Sequence, residues 1–175
     1  DEKRVYWFAT HNQPAGEKAT AEQRKSALLG IFKQWHTPVE HLLTSTPAEV
    51  ILQNDIFDIA PLSSWTNGRV TLLGDAAHPT TPNMGQGACM AMESAYALAR
   101  ALREEVDYRR AFARYESERH ERTAWITNTS WSIGQGGQIE NRVLSGLRNI
   151  VVKLTPAGAL QKSLHQAAGY DITKA

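Results

Sequence analysis

One segment constrains this chain more than any other. Arg69-Val-Thr-Leu-Leu-Gly-Asp-Ala-Ala-His-Pro-Thr-Thr-Pro-Asn-Met-Gly-Gln-Gly-Ala-Cys-Met-Ala-Met-Glu93 reads as a strand, a carboxylate, a glycine loop and a helix start in direct succession. Val70 to Leu73 is a short apolar, partly β-branched run that fits a buried strand, and Gly74-Asp75 ends it abruptly. Asp75 then stands at a strand's carboxyl end, where open α/β sheets bind ligands and where a carboxylate accepts hydrogen bonds from sugar-type hydroxyls. The competing role for Asp75 is to close a turn with its own side chain. Pro82, Gly85 and Gly87 interrupt regular structure just before an alanine-rich helical run, Ala88 to Leu102. The first N–H groups of that helix lack internal partners and carry partial positive charge, so they favour an electron-rich or anionic group. Glycines at 85 and 87 let that group approach the backbone closely, and at Gly87 the approach is expected to come with a positive φ. Alanines 88, 91, 95 and 99 leave a thin helix face, expected to lie close to a sheet.

Gly74-Asp75-Ala76-Ala77-His78, followed by Pro82 and Gly85-Gln86-Gly87, resembles the second flavin-binding motif of the FAD-dependent aromatic hydroxylases, the group A flavoprotein monooxygenases with the p-hydroxybenzoate hydroxylase fold. The Gly-Gln-Gly-Ala-Cys wording is most similar to the branch that includes zeaxanthin epoxidase and urate hydroxylase. Val5-Tyr-Trp-Phe, Trp35-His-Thr-Pro, Asp55-Ile-Phe-Asp and Tyr115-Glu-Ser-Glu-Arg-His-Glu-Arg are similar to segments in the same order in that family. The resemblance implies an α/β fold, present here as an α+β fragment: the C-terminal part of a two-domain FAD-binding monooxygenase, a few strands followed by several helices. It divides the chain into the end of a substrate domain (1–62), the end of the FAD-binding domain (63–130) and C-terminal helices (131–175). FAD is the implied cofactor and NAD(P)H the co-substrate, with O2 and a small organic, aromatic substrate as partners. Asp75, preceded by Gly74, matches the aspartate that binds the ribityl chain. Pro82, Met84, Gly85, Gln86 and Gly87 match the loop over the pyrimidine edge of the isoalloxazine, with Ala88 at the helix start behind it. No side chain is assigned as an acid or base.

Two other readings compete: a reductase or halogenase of the same fold, and an inactive remnant kept as a binding or oligomerisation module. The chain also departs from the family pattern. It has no Gly-x-Gly-x-x-Gly loop to hold a pyrophosphate, it lacks the family's other Asp-Gly motif, and Ser94 stands where relatives carry an aspartate. The expectation is that this chain alone does not hold FAD tightly. Either an N-terminal βαβ portion belongs to the native protein or self-association covers the surface left open.

Composition narrows the class. With 175 residues, 42% hydrophobic, the chain can bury on the order of two thirds of its unfolded surface. A formal net charge of +1 carries no nucleic-acid footprint. No apolar run approaches the roughly 20 residues of a membrane span. The charged start Asp1-Glu-Lys-Arg is no secretory signal, and the absent initiator methionine suggests a trimmed chain. A single cysteine, Cys89, excludes an intrachain disulfide and fits a cytoplasmic protein. Cys89 is expected to be a small buried hydrophobe. The histidines lack metal-site spacing, and His78 is read as a hydrogen-bonded structural imidazole.

Elsewhere, Val5 to Thr10 reads as a strand whose aromatics Tyr6, Trp7 and Phe8 suit a core or a substrate cavity. Thr20-Ala-Glu-Gln23 has capping-box spacing, and Thr37-Pro-Val-Glu40 starts a second helix, through Leu43, with proline at its first position. Val50 to Leu52 and Ile56 to Ile59 read as extended, and Pro61 to Gly68 as a boundary. Tyr108 to Trp125 reads as a long helix on which Glu116 to Arg122 forms a solvated charged face. Thr127 to Gly137 reads as polar and irregular, and Asn141 to Leu154 and Ala157 to Ala168 as amphipathic helices flanking Pro156.

Overall fold

The computed structural model describes residues 4–173, apart from the side chain of Leu160. Two compact units divide it, Asp1–Ile56 and Phe57–Ala175.

In the first unit α1 (Ala21–Ile31) starts at the expected capping box: Thr20 Oγ1 accepts from the Gln23 N–H at 3.3 Å while Gln23 Oε1 accepts from the Thr20 N–H at 2.8 Å. Lys25 Nζ, on α1, donates to the Thr44 and Thr46 carbonyls at the end of α2 (Val39–Ser45), at 2.9 and 2.8 Å. Pro38 precedes α2 as its N-cap, after a cis Thr37-Pro38 bond, and so is not its first helical residue. Val5 to Thr10 forms no strand, nor do Val50 to Leu52 or Ile56 to Ile59; Ala48–Val50 is instead a 3-10 turn. A strand exists only with a ladder partner, and none of these runs finds one among the described residues. Tyr6 and Phe8 consequently lie exposed, and Trp7 alone turns inward, donating Nε1–H to Thr46 Oγ1 at 3.0 Å.

The second unit opens on a hairpin of β1 (Thr66–Asn67) and β2 (Val70–Thr71), antiparallel, with Thr66 opposite Thr71. The run Val70 to Leu73 is thus a strand over two residues only. Two 3-10 turns follow, Gly74–Ala76 and Pro82–Met84, then α3 (Gly87–Glu104), α4 (Tyr108–Gly137), α5 (Arg142–Leu154) and α6 (Ala157–Ala168).

The core lies where α3 and α4 pack. Ala97 and Ala101 of α3 meet Ala111 and Tyr115 of α4 around Trp65 and Ala77, and the Tyr115 hydroxyl donates to the Leu72 carbonyl at 3.1 Å. The face of α3 that packs is Met90, Ser94, Ala97 and Ala101, at spacings of four, three and four. The thin face read from the alanines is therefore misplaced: Ala88, Ala95 and Ala99 are exposed, and only Ala91 is half-buried. Cys89 is exposed as well, because it stands on the outer side of the same first turn.

Helix α4 runs unbroken through Thr127 to Gly137, a stretch whose sequence reads as irregular. Within that stretch Thr127 and Ser130 are buried, and Ser130 Oγ is bonded to Thr81. Nor are Glu116 to Arg122 a solvated face. The Arg119 side chain is 0% exposed and that of Arg122 11%, and both pair with Glu93 of α3. The alternation of sign along α4 conceals that its arginines meet a carboxylate on another helix.

Beyond α4, Asn141 caps α5 by accepting from the Val143 and Leu144 N–H groups at 3.0 and 3.1 Å. Val143, Leu144, Leu147, Ile150, Val151 and Leu154 line an exposed apolar face of α5, while Arg148 Nη1 donates to the Gly136 and Gly137 carbonyls that end α4. Among the described residues no helix is long and apolar enough to cross a membrane, and no cluster of side chains fits a metal ion.

Candidate functional site

The turn after β2 is closed by its backbone. Gly74, at φ +60°, presents its carbonyl to the N–H groups of Ala77 and His78, both at 2.9 Å. The carboxylate of Asp75 takes no part in that closure and lies exposed, so the turn-closing role that competed for it is not the one it plays. A Cβ on Gly74 would touch Cβ of Ala91 at 3.4 Å, so it is the left-handed backbone at this turn, more than lack of space, that calls for glycine.

His78 anchors the turn from beneath. Its buried ring lies 5.3 Å from that of Trp65, and Nε2 shares a hydrogen bond of 3.0 Å with Ser94 Oγ on α3. This is the structural imidazole expected from the sequence. It also gives Ser94, a departure from the family pattern, a definite partner. Burial, aided by the charge of Arg119, pushes the His78 pKa below its usual 6.5, against its own carbonyl, Asp75 and Glu93, which raise it. The folded state therefore binds fewer protons than the unfolded one, and the stability this contributes is complete above pH 6.5 and lost as pH falls through the folded pKa. In urea melts at a series of pH values, the wild type is expected to lose more stability than His78→Gln as pH falls from 6.5 to about 5. Parallel losses would mean that His78 titrates normally.

The loop that follows is a second 3-10 turn with Pro82 in its first helical position, leaving through Gly85 at φ +63°. Open space surrounds the position a Gly85 Cβ would take. Gln86 then stands at the N-cap of α3 without a side-chain capping bond, leaving the first N–H groups of α3 without a capping side chain. Gly87 opens the helix with an ordinary negative φ, and its Cβ would make a normal 3.5 Å contact with Thr80. The conformational demand placed on Gly87 from sequence thus falls on Gly85, because the turn begun at Pro82 ends two residues earlier. Gly85→Ala is expected to cost about 1–2 kcal/mol in thermal unfolding, whereas Gly87→Ala is expected to be neutral or stabilising by up to about 1 kcal/mol. The opposite order would return the special backbone to Gly87.

Of the residues singled out from sequence, Gly74 and Asp75 lie on the first turn. Pro82, Met84 and Gly85 lie on the second, and Gln86, Gly87 and Ala88 at the start of α3, with Pro82, Gly85 and Ala88 exposed. Sequence reasoning missed what holds the second turn. Thr81 and Ser130 are buried and bonded to each other, and Asn83 reaches across to α4 beside Gly134. The available signal was the run Thr123, Thr127, Ser130 and Gly134, small or hydroxylated residues at helical spacing.

Comparison with known proteins supplies the family context. The FAD binding domain family model matches residues 2–130. Aurachin C monooxygenase/isomerase of Stigmatella aurantiaca is 43% identical over 153 residues, 87% of this chain and 40% of that protein. A chloroplastic zeaxanthin epoxidase from an Oncidium hybrid cultivar is 42% identical over 133 residues, 70% and 20% of the two chains. A point variant of HpxO of Klebsiella pneumoniae, solved with FAD, matches with a TM-score of 0.80 at 28% identity, over 89% of this chain and 41% of that one. This chain thus spans 40% or less of the length of these two curated relatives.

Proposed function

The chain belongs to the FAD-binding domain family of the group A flavoprotein monooxygenases, and on that premise we propose that it is the C-terminal portion of an NAD(P)H-dependent enzyme that hydroxylates or epoxidises a small organic substrate of aromatic type. In this reading residues 1–62 end the substrate domain, 63–130 end the FAD-binding domain and 131–175 are C-terminal helices. The observation that carries it is the exposed Asp75 carboxylate, left out of its own turn, in the same motif as the uncapped start of α3.

Asp75 accepts hydrogen bonds from the ribityl hydroxyls, and Gly74 keeps its turn tight against α3. Pro82, Met84, Gly85, Gln86, Gly87 and Ala88 border the pyrimidine edge of the isoalloxazine, where Gly85 presents bare backbone. The N–H groups opening α3 favour negative charge on that edge by roughly 0.3–2 kcal/mol. The chemistry the flavin supplies is the passage of reducing equivalents from NAD(P)H to O2, with one oxygen atom delivered to the substrate; the protein positions the reactants and excludes water. In this reading the pyrophosphate and adenosine of FAD are held by residues outside this chain. The single cysteine supports a cytoplasmic setting.

The test is to titrate FAD into the protein that carries this chain, and then to follow NADH and NADPH oxidation and O2 uptake with and without candidate phenols. Saturable FAD binding with substrate-dependent O2 consumption is expected. Binding without O2 consumption would move the assignment to another flavoprotein class, and no binding would leave an inactive module.

A further inference from the structure

We propose that Asn83 is a positioning residue for the flavin, part of a latch with Thr81, Ser130 and Gly134 that fixes the Pro82–Met84 turn to α4 and so sets where Gly85 and the start of α3 stand against the ring. The inference rests on the reading that this loop borders FAD.

The latch is a closed set of hydrogen bonds. Asn83 Nδ2 donates one hydrogen to Thr81 Oγ1 at 2.9 Å and the other to the Ser130 carbonyl at 3.1 Å. The two hydroxyls, Thr81 Oγ1 and Ser130 Oγ, lie 2.8 Å apart, and Ser130 Oγ donates to the Thr81 carbonyl at 2.6 Å. The donors therefore run in one direction, from Asn83 to Thr81 Oγ1, on to Ser130 Oγ and back to the Thr81 carbonyl. Ser130 is fully buried and Thr81 nearly so, where an unmade hydrogen bond is costly. The carboxamide supplies both N–H groups from one nitrogen and a carboxylate supplies neither, so aspartate cannot replace Asn83 in the set.

Gly134 makes room for it. In a helix the residue four positions on overhangs a given carbonyl, and here residue 134 overhangs that of Ser130. A Cβ on Gly134 would stand 2.5 Å from Asn83 Nδ2 and 3.3 Å from its Cγ, and all three of its nearest neighbours are atoms of that one side chain. Alanine at 134 would therefore expel the Asn83 amide while leaving α4 free to keep its course, since alanine is the better helix former.

Three variants of the full-length protein test this: Asn83→Ala, Gly134→Ala and the double variant. Each single change is expected to weaken FAD binding about tenfold, as for a turn that holds its binding position about a tenth of the time once unlatched, and to shift the visible absorption and fluorescence of the bound flavin. Gly134→Ala is expected to do so with a smaller loss of melting temperature than Asn83→Ala, because the helix preference of alanine offsets part of the lost hydrogen bonding, which separates positioning from stability. The double variant is expected to match Asn83→Ala alone, because the only group that Cβ displaces is already gone. Wild-type FAD affinity and spectrum in both single variants would overturn the latch, as would full additivity in the double. A wild type that binds no FAD would overturn the functional reading as well, a result distinct from binding that ignores the latch.

Discussion

Replacing Glu93 by alanine is expected to destabilise the chain by about 3–5 kcal/mol, the cost of removing one partner from a buried ion pair, or roughly 6–20 °C in Tm for a protein of this size. Glu93 pairs with two guanidiniums on α4. Arg119, with no exposed side-chain surface, pairs with Oε2, and Arg122 closes a two-point contact through Nε and Nη2 at 2.8 and 2.9 Å. Without Glu93 these like charges stay together with no carboxylate between them, the Arg122 guanidinium carbon lying 3.9 Å from the centroid of the Tyr170 ring. Arg122 also donates to the Gln166 and Ala167 carbonyls, so the end of α6 is held through the same cluster. As a control, Glu104→Ala removes an exposed pair with Arg114 and is expected to cost about 0–1 kcal/mol. Burial pushes the Glu93 carboxyl upward, but the hydrogen bonds and charges of Arg122 and Arg119 outweigh it and hold its pKa below the usual value. Its contribution is thus present above the unfolded carboxylate pKa and lost as pH falls through the folded one. The gap between wild type and Glu93→Ala should accordingly close in acid. Denaturant melts showing a loss below about 1 kcal/mol at pH 7 would place the arginines in solvent instead.

The same cluster shows which parts of the molecule were legible in sequence. Features encoded within a few residues are legible: the Thr20 and Gln23 box, the helices on either side of Pro156 and the break at Gly74. Each rests on a hydrogen bond or a dihedral that neighbouring residues settle among themselves. Features decided by distant partners are not. Arg119 reads as surface until Glu93, 26 positions away, is found beside it. Thr127 to Gly137 reads as a polar loop because its helix is held in part by Ser130 bonding to Thr81, 49 positions away. Val5 to Thr10 has the composition of a strand and no ladder to join. The glycine loop is intermediate: its residues were identified, yet whether Gly85 or Gly87 carries the left-handed backbone depends on where the turn from Pro82 ends. The cofactor was a different kind of inference, carried by resemblance at the Gly-Asp motif. The geometry adds a physical reason for it, a carboxylate the turn does not use.

That spare carboxylate yields the other large effect. Asp75→Ala is expected to weaken FAD binding about 10- to 100-fold, since a hydrogen bond to a charged acceptor is worth about 1.5–3 kcal/mol. The fold should barely notice. Asp75 is exposed, its turn is closed by the Gly74 carbonyl, and no core volume is lost with its side chain. Asp75→Asn keeps one acceptor oxygen without the charge, so its affinity should fall between wild type and the alanine variant. Fluorescence titration with FAD, run beside thermal melts of the same samples, separates the two effects. Unchanged affinity in Asp75→Ala would remove the carboxylate from the ribityl site. Equal losses of affinity and melting temperature would instead make Asp75 a structural residue of the turn, and the flavin contact would have to be sought elsewhere on the motif.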